Sequence, residues 1–106
     1  GDNNTAVGKD ALKATTTSAN NTAIGSCALD ANTTGSSNTA VGRNSLGSNT
    51  DATFNTAVGH NSLATNSTGD NNTGIGYNAL VSNTTASSNT AVGYQSLCAN
   101  TTGAWL

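Results

Sequence analysis

The chain has 106 residues, of which 34% are hydrophobic, 4% aromatic and 8% charged, and its net charge is −2. Only three residues are basic, too few to displace many counterions from a polyphosphate, which argues against a nucleic-acid-binding surface or a polybasic membrane anchor. No apolar run reaches the length of a membrane-spanning helix, so membrane insertion is not expected.

The chain is built from a repeat of 17 residues that starts at each Asn-Thr pair. We number the places of the repeat from this Asn. Four places do not vary: Asn at place 1, Thr at place 2, Gly at place 5 and Leu at place 9. Such a strict period indicates units that bury their apolar side only by stacking on their neighbours, and it predicts a single array over residues 1–106. The units begin at Asn4, Asn21, Asn38, Asn55, Asn72 and Asn89.

The first element of each repeat is a short predicted strand over places 1–5. Residues 38–42, Asn-Thr-Ala-Val-Gly, are typical, because β-branched residues alternate with small ones and a Gly closes the run. The recurring Gly indicates a positive φ or a close backbone approach at a corner. We expect Thr and Val or Ile to point inward, since a buried Ala column alone would make a poor core. Thr would then hydrogen-bond inside or line an interface between chains.

A two-residue turn and a second short strand, Ala/Ser-Leu, are predicted next, with the Leu as the main buried side chain of the coil. A polar segment such as residues 32–36 supplies the return turn. Thr, Asn and Gly are poor helix formers, and no apolar stripe with a helical period is present. We therefore predict an all-β fold, a β-solenoid or β-helix of six 17-residue coils in which equivalent residues stack.

Stacking predicts ladders of identical side chains along the solenoid axis. Amides of the place-1 Asn residues can hydrogen-bond from coil to coil and satisfy polar groups that face inward. The apolar core remains thin, with one Val or Ile and one Leu in each coil, so we expect further burial against copies of the chain in a homotrimer or filament. The Leu ladder comprises Leu12, Leu29, Leu46, Leu63, Leu80 and Leu97.

The titratable residues form no catalytic or metal-binding pattern. The only histidine is His60, and the five Asp residues are scattered over different places of the repeat. An enzyme requires a convergent cluster of such groups, and a repeating Ca²⁺ site requires Asp at one fixed place. We therefore predict a protein that is not an enzyme and that uses neither a metal nor another cofactor.

Residues that depart from the repeat are the candidates for specific contacts. Place 6 carries His60, Tyr77 and Tyr94 in three consecutive coils, beside amides at place 7. This strip predicts either a glycan or receptor contact or a stacking ladder without a ligand. The two cysteines would lie about 19 Å apart along the axis at roughly 4.8 Å per coil, too far for a disulfide within one chain. Candidates for subunit junctions are Phe54, Trp105, Cys27 and Cys98.

The pattern NTAVGxxALxxNTTGxx, which residues 21–37 match with Ile24 in place of Val, resembles the shaft repeats of phage and bacterial tail-fibre-like proteins. It is also similar to the head repeats of trimeric autotransporter adhesins, where an apolar-Ala-apolar-Gly strand recurs at a slightly shorter period. These resemblances imply a homotrimeric or filamentous module outside the cell, on a cell surface or on a virion. Such a module acts as a rigid spacer or attachment element, and a cell-surface glycan or receptor is an implied partner.

The alternation Asn-x-Ala-x-Gly is, in addition, similar to the Asn-x-Val-x-Gly strands of plant ice-binding solenoids. If Asn, Ala and Gly point inward, Thr and Val face solvent as a Thr-x-Val sheet with few charges, which suits an ice-matching surface. The sequence thus predicts a structural fibre-forming module, with an ice-binding solenoid as the first alternative and a glycan-binding adhesin as the second.

Overall fold

The structure, a computed structural model, describes the whole chain from Gly1 to Leu106 and consists of strands and turns only. The strands form a single parallel sheet in the order β1-β2-β3-β4-β5-β6, in which Thr39, for example, pairs with Thr56 in the next repeat. This arrangement confirms the predicted all-β solenoid and its register. The six strands are β1 (Thr5–Val7), β2 (Thr22–Ile24), β3 (Thr39–Val41), β4 (Thr56–Val58), β5 (Thr73–Ile75) and β6 (Thr90–Val92).

The Gly at place 5 ends each strand in a conformation that other residues rarely adopt. Its φ angle lies between 124° and 131° in all six repeats. At Gly25 an added Cβ would stand 2.7 Å from the backbone carbonyl of Gly42 in the next coil. Both the positive φ and the close backbone approach that the sequence predicts are therefore confirmed, and they occur at the same residue.

The prediction of a second strand in each coil is wrong. After the Gly, each coil continues as turns in which places 7 and 9 have positive φ, as at Asn44 (57°) and Leu46 (50°). Left-handed residues interrupt an extended chain, so no strand can form here. Hydrogen bonds between coils persist nevertheless, because the Leu46 N–H donates to the carbonyl of Ser62 at 3.0 Å. This wall of the solenoid is a stack of turns.

The Leu at place 9 is the largest apolar side chain of the interior, as predicted. Four of the six are fully buried: Leu29, Leu46, Leu63 and Leu80. The expectation that Thr and Val or Ile point inward is wrong, because Ala occupies the inner side of the strand, as at Ala40 and Ala57. At Gly74, which stands at the Ala place, an added Cβ would lie 3.3 Å from Leu63 Cγ and from the carbonyl oxygen of Ala79, so the methyl group of Ala already fills the inner side of the strand.

Two ladders of buried Asn side chains fill the rest of the interior. At place 1, Asn38 Oδ1 accepts from the N–H of Asn55 (2.9 Å), and its Nδ2 donates to the carbonyl of Ala52 (2.8 Å). At place 12, Asn49 Nδ2 donates to Asn32 Oδ1 (2.9 Å) and also to the carbonyl of Ala52 (3.1 Å). The place-1 ladder was predicted, although it joins side chains to backbone groups, whereas the place-12 ladder was not predicted.

The solenoid buries its surface without a partner chain. Its accessible surface is 4680 Å², which is below the roughly 5,400 Å² expected for a folded monomer of this mass. Columns of buried Ala and Asn complete the interior, in addition to the large apolar side chains from which self-assembly was predicted. Assembly with other copies remains a prediction. The small number of large apolar side chains in the interior is not evidence for it, because the interior is filled without a partner chain. No helix in the structure is long and apolar enough to cross a membrane.

Candidate functional site

The outer side of the sheet is a regular array of Thr and aliphatic side chains, which we call the Thr-Val face. It combines the Thr of place 2 with the Val or Ile of place 4, and strand geometry spaces these side chains about 4.8 Å apart along the axis and about 6.7 Å apart along the strand. Its twelve members are Thr5, Thr22, Thr39, Thr56, Thr73, Thr90, Val7, Ile24, Val41, Val58, Ile75 and Val92.

The hydroxyl groups of the Thr-Val face have no hydrogen-bond partner within the chain. This sets them apart from the Thr residues of the return turn, such as Thr16 and Thr33, whose hydroxyls donate to carbonyls of the following coil. Every hydroxyl of the face therefore remains free to bind water or another molecule. The backbone beneath is uniform, since the Thr N–H donates to the next coil at 2.8–2.9 Å in all five steps from Thr5 to Thr73.

Charged residues stay off the Thr-Val face. The nearest ones along the chain are Lys9 and Arg43 at place 6, which follow the closing Gly of their repeats. Lys9 forms an exposed ion pair with Asp10, whose carboxylate also contacts Lys13. The face thus presents methyl and hydroxyl groups only, and its contacts depend on shape and on hydrogen bonds to Thr.

The aromatic strip predicted at place 6 exists and forms a continuous ladder. Arg43 Nη1 contacts Nε2 of His60 at 3.3 Å, and since a guanidinium only donates, the imidazole nitrogen accepts. The rings of His60 and Tyr77 are perpendicular, with centroids 5.6 Å apart, whereas Tyr77 and Tyr94 stack at 5.4 Å with an angle of 12° between their planes.

This stacking limits what the strip can bind. A sugar ring packs on the face of an aromatic ring, but the facing sides of Tyr77 and Tyr94 cover each other. The amides that were predicted to flank the strip are also engaged in part, because Asn44 Nδ2 donates to Asn61 Oδ1 at 2.9 Å. Glycan or receptor binding at His60, Tyr77 and Tyr94 stays a prediction, and the ring stack favours the alternative of a ladder without a ligand.

The four predicted junction residues do not form a common site. Phe54 and Trp105 are strongly exposed and both have a positive φ at place 17, but three repeats separate them. Cys27 and Cys98 are half-buried and free, as their distance predicts. A role of these four residues at a subunit junction stays a prediction, and each residue would contact a partner chain at a separate position.

Sequence reasoning missed the second set of structural residues at place 12. Asn recurs there in the last five repeats, from Asn32 to Asn100, so the signal was present as a nearly invariant column. Its side chains share an acceptor with the place-1 ladder: both Asn55 and Asn66 donate to the carbonyl of Gly69. Ser18 Oγ and Asn78 Oδ1 are the only buried side-chain polar atoms that lack a partner.

The structure contains neither an enclosed pocket nor a group of three His, Cys, Asp or Glu side chains placed to hold a metal ion. The Thr-Val face and the place-6 ladder are therefore the candidate functional surfaces of the chain. No protein-family model, curated protein or solved structure gives a significant match to this chain.

Proposed function

We propose that the chain is a structural module, a stiff β-solenoid rod that builds an extracellular fibre together with copies of itself, of the tail-fibre or adhesin-shaft kind. The observation that supports it is the unbroken repetition of the same bonds between coils. Place-1 Asn residues link coil to coil from Asn4 to Leu106, with Oδ1 accepting from a backbone N–H at 2.8–3.0 Å at every step. Bending the rod would strain these hydrogen bonds and the hydrogen bonds of the sheet at the same time, so the rod resists bending.

The Thr-Val face is the surface that we assign to contacts between copies of the rod. It is uncharged, it runs along all six repeats, and Val7 and Val92 at its two ends are more than half exposed. Its area is only about 300 Å², from strand spacing and length, whereas a stable complex buries about 800 Å² per partner. We therefore expect six repeats to associate weakly, with a strength that grows with the number of repeats.

Charge introduced on this face should prevent the association. We expect the wild-type chain to show reversible self-association at high concentration in sedimentation velocity, and the double variant Val41→Lys with Val58→Lys to remain monomeric. A buried, unpaired ammonium group is costly at an interface. The matched control adds the same charge on the return turn, at the exposed residues Thr34 and Thr85, as Thr34→Lys with Thr85→Lys. A wild-type chain that stays monomeric at every concentration would contradict the fibre proposal.

Ice binding is the second candidate function, because the Thr-Val face points outward. An ice-binding surface holds water molecules in a fixed array, and bridging waters bind to protein hydroxyls nearly as well as direct partners do. Here, unpartnered Thr hydroxyls repeat beside methyl groups at about 4.8 Å. The fibre proposal needs copies of the chain, whereas ice binding needs only a monomer.

Thermal hysteresis measurements test this second candidate directly. A depression of the freezing point below the melting point is expected for the wild-type monomer, with loss of most of the effect in Thr56→Tyr, which places a bulky ring in the middle of the face. Thr85→Tyr, on the exposed return turn, should keep the full effect. Absence of hysteresis in the folded wild-type chain would rule out ice binding while leaving the fibre proposal intact.

A further inference from the structure

We propose that Tyr77 and Tyr94 are an oxidative cross-linking pair, which a one-electron oxidant such as a haem peroxidase intermediate joins through a carbon–carbon bond between the phenol rings. The cross-link would connect the fifth repeat covalently to the sixth. It is independent of the function proposed above, since it needs neither a partner chain nor ice.

The geometry of the two rings carries the proposal. Their centroids are 5.4 Å apart and their planes are nearly parallel. Tyr77 is 43% exposed and Tyr94 72% exposed, so an external oxidant can reach both phenols and water can accept their protons. Exposed side chains change rotamer within nanoseconds, so the rings can slide from the stacked contact into bonding contact.

The backbone keeps the rings adjacent while they move. β5 and β6 pair in register immediately before the two tyrosines. Directly after them, the N–H of Gln95 donates to the carbonyl of Tyr77 at 2.8 Å. Both ring-bearing residues are therefore held at the spacing of neighbouring strands, roughly 4.8 Å, and coupling does not require the solenoid to open.

The chemistry balances with two equivalents of oxidant. Each phenol loses one electron to the oxidant and its hydroxyl proton to water, which leaves a phenoxyl radical with unpaired spin on the carbons next to the oxygen. Two such carbons, one from each ring, form the new bond. The hydrogens on these carbons then move to the oxygens, which restores both aromatic rings and both phenols. In total, two electrons and two protons leave, so the product is two hydrogen atoms lighter than the chain.

Coupling of tyrosines within a chain and between chains gives different products, and the chain contains only two tyrosines. Disulfides formed by Cys27 or Cys98 also remove two hydrogens, but a reductant reverses them and not the carbon–carbon bond. Coupling within one chain gives a monomer that is two hydrogens lighter, whereas coupling between chains gives a covalent dimer. A radical held beside its partner meets it at a far higher effective concentration than a partner in dilute solution. The intramolecular product should therefore dominate at low protein concentration.

The test treats the dilute chain with a haem peroxidase and limiting hydrogen peroxide, reduces any disulfides, and then measures intact mass and dityrosine fluorescence. We expect the lighter monomer, and a cross-linked peptide containing Tyr77 and Tyr94 after proteolysis. Tyr94→Phe keeps the stacked ring but removes one phenol, so no lighter fluorescent monomer should form. The double variant Tyr94→Phe with Ser26→Tyr retains two tyrosines on the same column three repeats apart, and we expect at least about a tenfold lower yield of intramolecular product.

Two results would overturn the proposal. One is a wild-type chain that yields only covalent dimers at high dilution or remains unmodified although free tyrosine couples under the same conditions. The other is an equal yield of lighter monomer from the wild-type chain and from the double variant, because this would show that the contact between neighbouring repeats has no influence on coupling. Circular dichroism of each variant confirms that the solenoid is folded.

Discussion

Gly42→Ala is expected to destabilise the solenoid by more than about 4 kcal/mol, or to prevent folding, whereas Gly93→Ala should cost only about 1–3 kcal/mol. The two glycines have nearly the same backbone conformation, with φ angles of 129° and 126°. Their surroundings differ. A Cβ at Gly42 would lie 2.7 Å from the carbonyl carbon and oxygen of Gly59, while a Cβ at Gly93 would meet nothing within 4 Å.

The pair of variants separates backbone strain from steric conflict between coils. Both variants have the strain of an L residue at this φ. Only Gly42→Ala also forces the backbones of two stacked coils apart, which disturbs the pairing of the coils. Urea and thermal unfolding followed by circular dichroism measure the difference. Because repeat arrays can unfold in more than one step, midpoints of the transitions are compared. Equal losses in the two variants would show that the close approach between coils contributes nothing.

The sequence predicts those features that are properties of a single column. Stacking places each residue on its own equivalent 17 positions later, as the pairing of Thr39 with Thr56 shows. A requirement of the fold must therefore reappear in every repeat. The Gly at place 5, the buried Leu at place 9 and the Asn ladder at place 1 could be predicted for this reason. The place-12 ladder obeys the same rule and could have been found, since its only exception is Thr15 in the first repeat.

Which side of the strand points inward could not be decided in this way. Hydrophobicity favours Val on the inner side of the strand and Ala on the outer side. The small volume of the interior instead places Ala on the inner side and Val on the outer side. The Leu column and two Asn ladders fill the coil, so that a Cβ at Gly74 would already be in tight contact with Leu63 Cγ, at 3.3 Å. The volume of the interior is set by the distance between opposite walls of the solenoid, and the pattern of the five strand residues contains no information about that distance.

The turn wall escaped prediction for a different reason. Ala-Leu and Ser-Leu are compatible with a strand, and Leu has no preference for a positive φ. Yet every Leu of place 9 has a φ of 48–52°. The burial gained by pointing this side chain into the solenoid outweighs a local strain of about 1–2 kcal/mol. Of the two candidate surfaces, only the place-6 ladder could be predicted as a column, because the outward position of the Thr-Val face depends on which side of the strand points inward.

Asn55→Asp, an isosteric change, is expected to be strongly destabilising at neutral pH. Asn55 is fully buried; its Oδ1 accepts from the N–H of Asn72 at 2.8 Å, and its Nδ2 donates to the carbonyl of Gly69 at 2.9 Å. A carboxylate keeps the first bond but places an oxygen against the carbonyl oxygen. Burial and this contact raise the carboxyl pKa in the folded state. In the unfolded chain the carboxyl has its usual pKa of about 3.9. Because burying an uncompensated charge costs about 3–5 kcal/mol, we expect a loss of stability of this size at pH 7.

The pH dependence identifies the cause of that loss. The folded variant binds more protons than the unfolded chain between the two pKa values, so its stability falls as pH rises through this window. Below pH 4 the protonated carboxyl can donate to Gly69 and most of the stability should return. Denaturant unfolding at pH 3.5 and pH 7 measures the change, relative to the wild-type chain at the same pH. Asn71→Asp, at an exposed residue next to the same strand, should show almost no loss at either pH. If Asn55→Asp were equally unstable at both pH values, repulsion between the carboxylate and Gly69 would not be the reason, because the protonated carboxyl carries no charge.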